Sequence, residues 1–286
     1  MYKIAILGCE NSHADNFLAL IRDEKLDIEV VGVYSHVREA AEKLNEKYGV
    51  YAAENYDEFV GKIDGLVITA RHGDNHYKYA KPYIHDGIPM FIDKPITVSE
   101  SDAQAFKKEL VENGVKICGG SICIHADYVL ELEKIIAKEE HGKVLGGTLR
   151  APISMENEHG GFYFYSQHLV EVMCRIFGYF PNSVTSRLNG DKLTFTAHYD
   201  DYDVSGLFVE GNYIYSVGAN LEKKDFFSEY GLENASSREL HKFYDLLCGK
   251  DMTRSYDEIF APVFILNAID RSMQSGCEEN VHRSGV

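Results

Sequence analysis

The chain has 286 residues, enough for two domains that each bury a core without covalent staples. Its 45 Asp and Glu against 29 Lys and Arg give a formal net charge of −16. That balance argues against nucleic acid or an anionic membrane as partner, because both are polyanions that need a basic face. No stretch approaches 18 consecutive apolar residues, so no transmembrane helix is expected. The opening MYKIAILGCENS has too short an apolar run for a signal peptide. Six cysteines (Cys9, Cys118, Cys123, Cys174, Cys248, Cys277) form no CxxC pair and lie mostly in apolar segments. They read as reduced, buried thiols of a cytoplasmic protein.

From the N-terminus, an apolar run (KIAIL, 3–7) meets Gly8 and then the amphipathic HADNFLALIRD (13–23). The strand–turn–helix unit repeats four more times. IEVVGVYS (28–35) precedes VREAAEKLNEKYG (37–49), and DGLVITA (64–70) precedes HYKYAKPYIHDG (76–87). IPMFID (88–93) precedes SESDAQAFKKELVENG (99–114), and VKICGG (115–120) precedes DYVLELEKIIAKEEHG (127–142). Such alternation predicts a doubly wound parallel sheet, and the short continuous apolar runs fit strands covered on both faces. Glycines just past the predicted helices, as at Gly49 and Gly87, read as C-terminal caps.

The second half changes period. A helix is predicted at about 163–177, followed by NSVTSRLNG, KLTFTAHYDD, YDVSGLFVEG and YIYSVGANL (182–221), which read as a four-stranded antiparallel meander with turn glycines between them. Two helices follow, in 236–249 and 256–276. The expected fold class is α/β: an N-terminal Rossmann-type doubly wound domain over 1–121, then an α+β domain over 122–286 with a mainly antiparallel open sheet. The last helix is allowed to pack back on the first domain. The tyrosine-rich strands offer more sheet than three helices cover, so a homodimer or homotetramer is expected.

Candidate binding residues cluster at predicted strand ends. In ILGCENSH (6–13) only Gly8 of a GxGxxG fingerprint survives, with Glu10 and His13 at the second and third glycines. Gly8, Cys9, Asn11, Ser12 and His13 are expected to line a cofactor phosphate, with Ser12 capping the helix. Glu10 is awkward there, since two unit negative charges about 5 Å apart repel by roughly 1 kcal/mol even in water. Protonated His13 could offset it; otherwise Glu10 faces solvent and His13 packs on the sheet. The second strand ends at Ser35-His36, with Arg38 following, where an NAD-selective fold carries an acid. A hydroxyl, an imidazole and a guanidinium tilt the expected cofactor from NAD toward NADP. Thr69, Arg71 and His76 follow the next strand. FIDKPIT (91–97) then places Asp93, Lys94 and Pro95 at the mouth of a buried strand, where α/β proteins put their ligands. Histidine or carboxylate metal spacing (HxxxH, HExxH) is absent around His13, His72 and His76, so no metal is expected.

The order of Gly8, Thr69-x6-His76, Asp93-Lys94-Pro95, the GG at 119–120 and the late ELxxFxxxxxG segment at 239–249 resembles the Gfo/Idh/MocA family. This resemblance implies an NAD(P)-dependent oxidoreductase acting on a sugar, polyol or related hydroxyl or keto compound. It implies that Lys94 lies near the nicotinamide and the reacting hydroxyl, with Pro95 fixing the backbone. The family's Asp-x-x-x-His signature corresponds to Phe164 and His168, so the aspartate is missing and His168 alone would carry the proton. Tyr165 and Glu171, three residues either side, share its helical face and are expected to orient it or to donate. Two other readings of the same fold are a sugar or nucleotide sensor and an NAD-assisted glycoside-cleaving enzyme.

Overall fold

The computed structural model describes residues 1–283. The chain divides into two compact units: Met1–Gly120 with Ser236–Ile259, and Ser121–Ala235 with the chain from Phe260 on. The division after Gly120 lies one residue from the expected boundary, but 236–259 returns to the first unit, which the expected domain ranges did not include.

The first unit holds a parallel sheet of β1 (Tyr2–Leu7), β2 (Ile28–Tyr34), β3 (Gly65–Ile68), β4 (Met90–Asp93) and β5 (Ile117–Gly120), in the order β2–β1–β3–β4–β5. Ile4, Ala5, Ile6 and Leu7 are fully buried, as a strand covered on both faces requires. Helix α1 (Ser12–Asp23) buries Ala14, Phe17, Leu18 and Ile21, the i, i+3, i+4, i+7 stripe of one helical face. Phe17 meets Phe91 of β4 edge-on, ring centroids 4.9 Å apart. Helix α2 (Arg38–Tyr48) ends at Gly49, whose φ of 71° lets its N–H reach the Asn45 carbonyl. Helix α3 (Asp74–Ala80) tightens into a 3-10 turn over Lys81–Asp86, which contains Pro82. Helix α4 (Glu100–Glu112) is capped by Ser99, whose side chain accepts the Asp102 N–H. With β2 on one side of β1 and β3 to β5 on the other, strand order reverses at the β1/β3 crevice, where open α/β sheets bind ligands.

The second unit contains α5 (Asp127–Ala137), β6 (Val144–Ile153), α6 (Tyr163–Phe177), β7 (Ser183–Asn189), β8 (Lys192–His198), β9 (Asp203–Glu210), β10 (Ser216–Leu221) and β11 (Asp225–Glu229). The predicted meander is correct for β7, β8 and β9, which pair antiparallel in succession. It fails at β10. Strand β6 inserts between β9 and β10, parallel to the first and antiparallel to the second. The sheet order is β11–β10–β6–β9–β8–β7–β12, the last being Glu279–Asn280. Strand β6 hides in the sequence because Gly146, Gly147 and Pro152 weaken its strand signature. Gly147 is there to make room: a Cβ on it would lie 2.0 Å from the ring of Phe177 on α6. Leu149, Ala151 and Ile153 of β6 alternate inward into the core shared with α6.

Helix α7 (Ala235–Leu247) sends Leu240, Phe243 and Leu247 into the first unit's core beside Val67 and Phe91. Leu247 comes so close to β3 that a Cβ on Gly65 would be 2.5 Å from its Cδ2. The helix allowed to pack on the first domain was the last one; α7 does so instead, and α8 joins that unit only by its first turn. Helix α8 (Tyr256–Ser275) starts in the first unit, where Asp257 pairs with the buried Lys107 and the Tyr256 hydroxyl donates to the Val115 carbonyl at 2.7 Å. From Phe260 it belongs to the second. All six cysteines are free, but Cys248 and Cys277 are exposed rather than buried as expected, because they lie at and beyond the ends of α7 and α8.

Candidate active site

At the C-terminal edge of the parallel sheet, three loops are stitched together around Gly8. Its φ is 79°, and a Cβ on it would lie 2.3 Å from the Ala70 backbone nitrogen, so only glycine fits. The Gly8 and Cys9 N–H groups donate to the Tyr34 carbonyl at 2.8 and 3.1 Å, and the Thr69 hydroxyl donates to the Gly8 carbonyl at 3.1 Å. Asn11, not Ser12, caps α1: its backbone is extended and its side-chain oxygen accepts the His13 N–H at 3.3 Å. The Ser12 hydroxyl instead donates to that same Asn11 oxygen at 3.4 Å. A helix start at a switch point offers N–H groups to an anion, so this edge fits a dinucleotide's phosphates.

Asp93, the last residue of β4, organises the next loop. It is fully buried; Oδ1 accepts the Lys94 N–H at 2.7 Å, and Oδ2 accepts from Asn11 Nδ2 at 3.0 Å and pairs with His13 Nδ1 at 2.8 Å. The Asp93 charge, against the opposing effect of burial, pushes the His13 imidazole up to about 9. Burial alone would push the Asp93 carboxyl up, but the His13 charge and bond, helped by Lys94, hold it below its usual range. His13 therefore serves Asp93 and not Glu10, and Asp93 positions its neighbours rather than reaching outward. Lys94 is only 5 % exposed, and the Lys94–Pro95 peptide is cis. His76, expected as a cofactor contact, is fully buried; Nε2 meets the Ala70 carbonyl at 2.8 Å, and burial lowers its pKa. It props the Ala70–Arg71 turn from beneath, so it is a structural group.

Glu10 does not face solvent. Its side chain is 8 % exposed; Oε2 accepts the Ser35 hydroxyl at 2.7 Å, Oε1 accepts the Arg71 N–H at 3.2 Å, and His36 Nδ1 lies 3.8 Å away. Ser35 is thus committed to a carboxylate. Arg38 is committed as well, donating from Nε to Glu42 at 3.0 Å and from Nη1 to the Ala52 and Ala53 carbonyls at 3.2 and 2.9 Å, with Nη2 3.1 Å from Glu54. Two of the three residues expected to favour a 2′-phosphate, Ser35 and Arg38, already have other partners.

In the second unit, α6 is buried almost all round, including Ser166, Gln167, His168 and Glu171. Polar groups at such depth cost stability unless bonded. His168 Nδ1 lies 2.7 Å from the Ser121 hydroxyl. Glu171 accepts the Ser121 N–H at 2.9 Å and a short bond from Gln167. Of the two expected orienters, Glu171 holds Ser121, and Tyr165 approaches the imidazole by its ring, centroids 6.1 Å apart, with Tyr215 at 6.2 Å. Ser121 was missed, although its place directly after the Gly119–Gly120 end of β5 is the position where α/β sheets present functional groups. Phe164, where the family has aspartate, packs its ring on His159 and Tyr165 at 5.3 and 4.7 Å. Lys94 falls in the first unit and His168 in the second. Among the described residues no group of three or more His, Cys, Asp or Glu is placed to hold a metal ion.

A parallel sheet in this order, with a glycine turn and a capped helix at its switch point, has the architecture of a Rossmann-type unit. Residues 2–120 match the oxidoreductase family with an NAD-binding Rossmann fold, Gfo/Idh/MocA. It is 27 % identical to glucose-6-phosphate 3-dehydrogenase of Bacillus subtilis (strain 168) over 148 residues, 51 % of this chain but only 41 % of that enzyme. Two crystal structures share the whole fold. The myo-inositol dehydrogenase of Corynebacterium glutamicum ATCC 13032 superposes with a TM-score of 0.85 over 99 % of each chain at 17 % identity. GenD2 from gentamicin A biosynthesis, in complex with NAD, gives 0.84 over 98 % of this chain and 96 % of its own at 16 % identity. Such distant matches speak for fold alone.

Proposed function

We propose that the protein is an NAD(P)-dependent dehydrogenase that acts on a hydroxyl of a sugar, polyol or related compound. The observation that carries this reading is the Asp93-Lys94-Pro95 turn, which sets a nearly buried lysine at the end of a parallel strand, beside the switch-point crevice. Bound nicotinamide supplies the hydride chemistry. The helix α1 N-terminus, with Cys9, Asn11, Ser12 and Gly8, holds the cofactor phosphates. The Lys94 ammonium stabilises negative charge on the reacting oxygen, or polarises the carbonyl in the reverse direction. His168, with Nδ1 against Ser121, exchanges the substrate proton, and Tyr165 is the second candidate donor beside it. One observation favours a binding protein instead: Phe164 puts an apolar ring where the family's titratable aspartate belongs.

Six free cysteines suit a reducing compartment such as the cytoplasm. Phe227 and Leu188, 64 % and 45 % exposed on strands of the second unit's sheet, support pairing of two or four copies through that sheet. Light scattering should return a multiple of the monomer mass; a concentration-independent monomer would end that part of the proposal. Turnover is tested by offering inositols, hexoses, hexose phosphates and simple glycosides with NAD⁺ or NADP⁺ and following both the reduced nicotinamide and the sugar product. Steady release of reduced nicotinamide supports the dehydrogenase. Turnover without net reduced cofactor indicates glycoside cleavage, and binding without turnover indicates a sensor.

A further inference from the structure

Glu10 stands where the fingerprint has its second glycine, yet it is held as firmly as a designed ligand. Its carboxylate reaches to Ser35, the residue directly after β2, which is the place where dinucleotide folds keep a ribose-binding acid. The Arg71 N–H and the neighbouring His36 fix its orientation from the other side. Each carboxylate oxygen carries two lone pairs, and the Ser35 and Arg71 bonds use one on each, so each oxygen can accept one bond more.

We propose that Glu10 reads the adenosine ribose from the β1–α1 loop, accepting its 2′- and 3′-hydroxyls and rejecting a 2′-phosphate, so that the site takes NAD over NADP. This deepens, and rests on, the reading of the first unit as a nicotinamide dinucleotide site. A 2′-phosphate would meet a carboxylate that is nearly buried, where solvent ions screen the repulsion poorly. Arg38, expected to favour that phosphate, is already used, since all three of its guanidinium nitrogens face Glu42, Glu54 or the Ala52 and Ala53 carbonyls. This proposal runs opposite to the NADP tilt expected from Ser35, His36 and Arg38.

NADH and NADPH titrated separately into the full-length protein, followed by nicotinamide fluorescence, test this without a substrate. Wild type is expected to bind NADH at least about tenfold more tightly than NADPH, the scale of a modest like-charge penalty. Glu10→Gln keeps the shape and removes the charge, and should bring the two affinities within about threefold, chiefly by tightening NADPH. Glu10→Ser takes its place if the glutamine variant does not fold. Wild type binding NADPH as tightly as NADH overturns the assignment of Glu10, and so does a ratio that neither variant changes. Failure to bind either nucleotide at millimolar concentration overturns the functional reading itself.

Discussion

The two units hold their polar groups in opposite ways. In the first, they sit on loops that leave a buried parallel sheet, so the strands fix where each side chain begins, and Asp93, Asn11 and His13 lock together over that edge. In the second, they lie within α6, a helix buried on nearly every side, and His168 Nδ1 meets the hydroxyl of a serine 47 residues earlier in the chain. A sheet edge makes a site legible from local sequence. A core helix does not, because every position on it looks like packing until its partner is known.

Substitutions on each side should make that contrast measurable. Lys94→Ala should lower kcat by about a thousandfold or more once a substrate is in hand, while NADH affinity changes by less than about threefold. Lys94→Arg should recover little, because a bulky planar guanidinium cannot put its charge where the compact ammonium of a nearly buried lysine sits. Retention of most activity in Lys94→Ala would reduce the lysine to a packed turn residue. His168→Ala should cost on the order of a hundredfold in kcat. Ser121→Ala should cost about tenfold and move the acidic limb of the kcat profile, with Ser121→Thr restoring both. An unmoved pH profile in Ser121→Ala would show that the bond to His168 is only structural.

Stability probes the first unit's edge in the same spirit. Gly8→Ala places a Cβ against backbone at positive φ and should cost about 3 kcal/mol in urea melts, whereas Gly49→Ala, with the same sign of φ but open space around it, should cost about 1. Equal losses would mean that the Gly8–Ala70 approach relaxes freely. The His13–Asp93 pair gives an effect that varies with pH. His13 is raised from 6.5 to about 9, so its contribution is complete below pH 6.5 and lost as pH rises through 9. Asp93 is lowered from 3.8, so its contribution is present above that value and lost in stronger acid. Wild-type stability should fall by on the order of 2 kcal/mol between pH 6.5 and 9, and His13→Gln should flatten that slope. Parallel slopes in the two proteins would remove the pair from the account.

Much of the first unit could be read in advance because its causes are local. Alternating strand and helix signals, Gly8 and the Asp93-Lys94-Pro95 turn fix the sheet edge with no knowledge of distant contacts. What escaped the reading depends on pairing across long separations. Strand β6 disguises itself with glycines that admit Phe177, and its place between β9 and β10 follows from no local pattern. Glu10 looked like a misfit because the partners that accommodate it, Ser35 and the Arg71 N–H, are 25 and 61 residues away. The return of α7 to the first unit's core was foreshadowed only by the Leu240–Phe243–Leu247 stripe, which on its own names no destination.

The proposed division of labour, nucleotide recognition at the first unit's sheet edge and proton chemistry on α6, is tested most directly by calorimetric titration of NADH into His168→Ala. The account predicts a Kd within about twofold of wild type, alongside a protein whose turnover has collapsed. A Kd weakened by more than about tenfold, or turnover left at the wild-type rate, would contradict it.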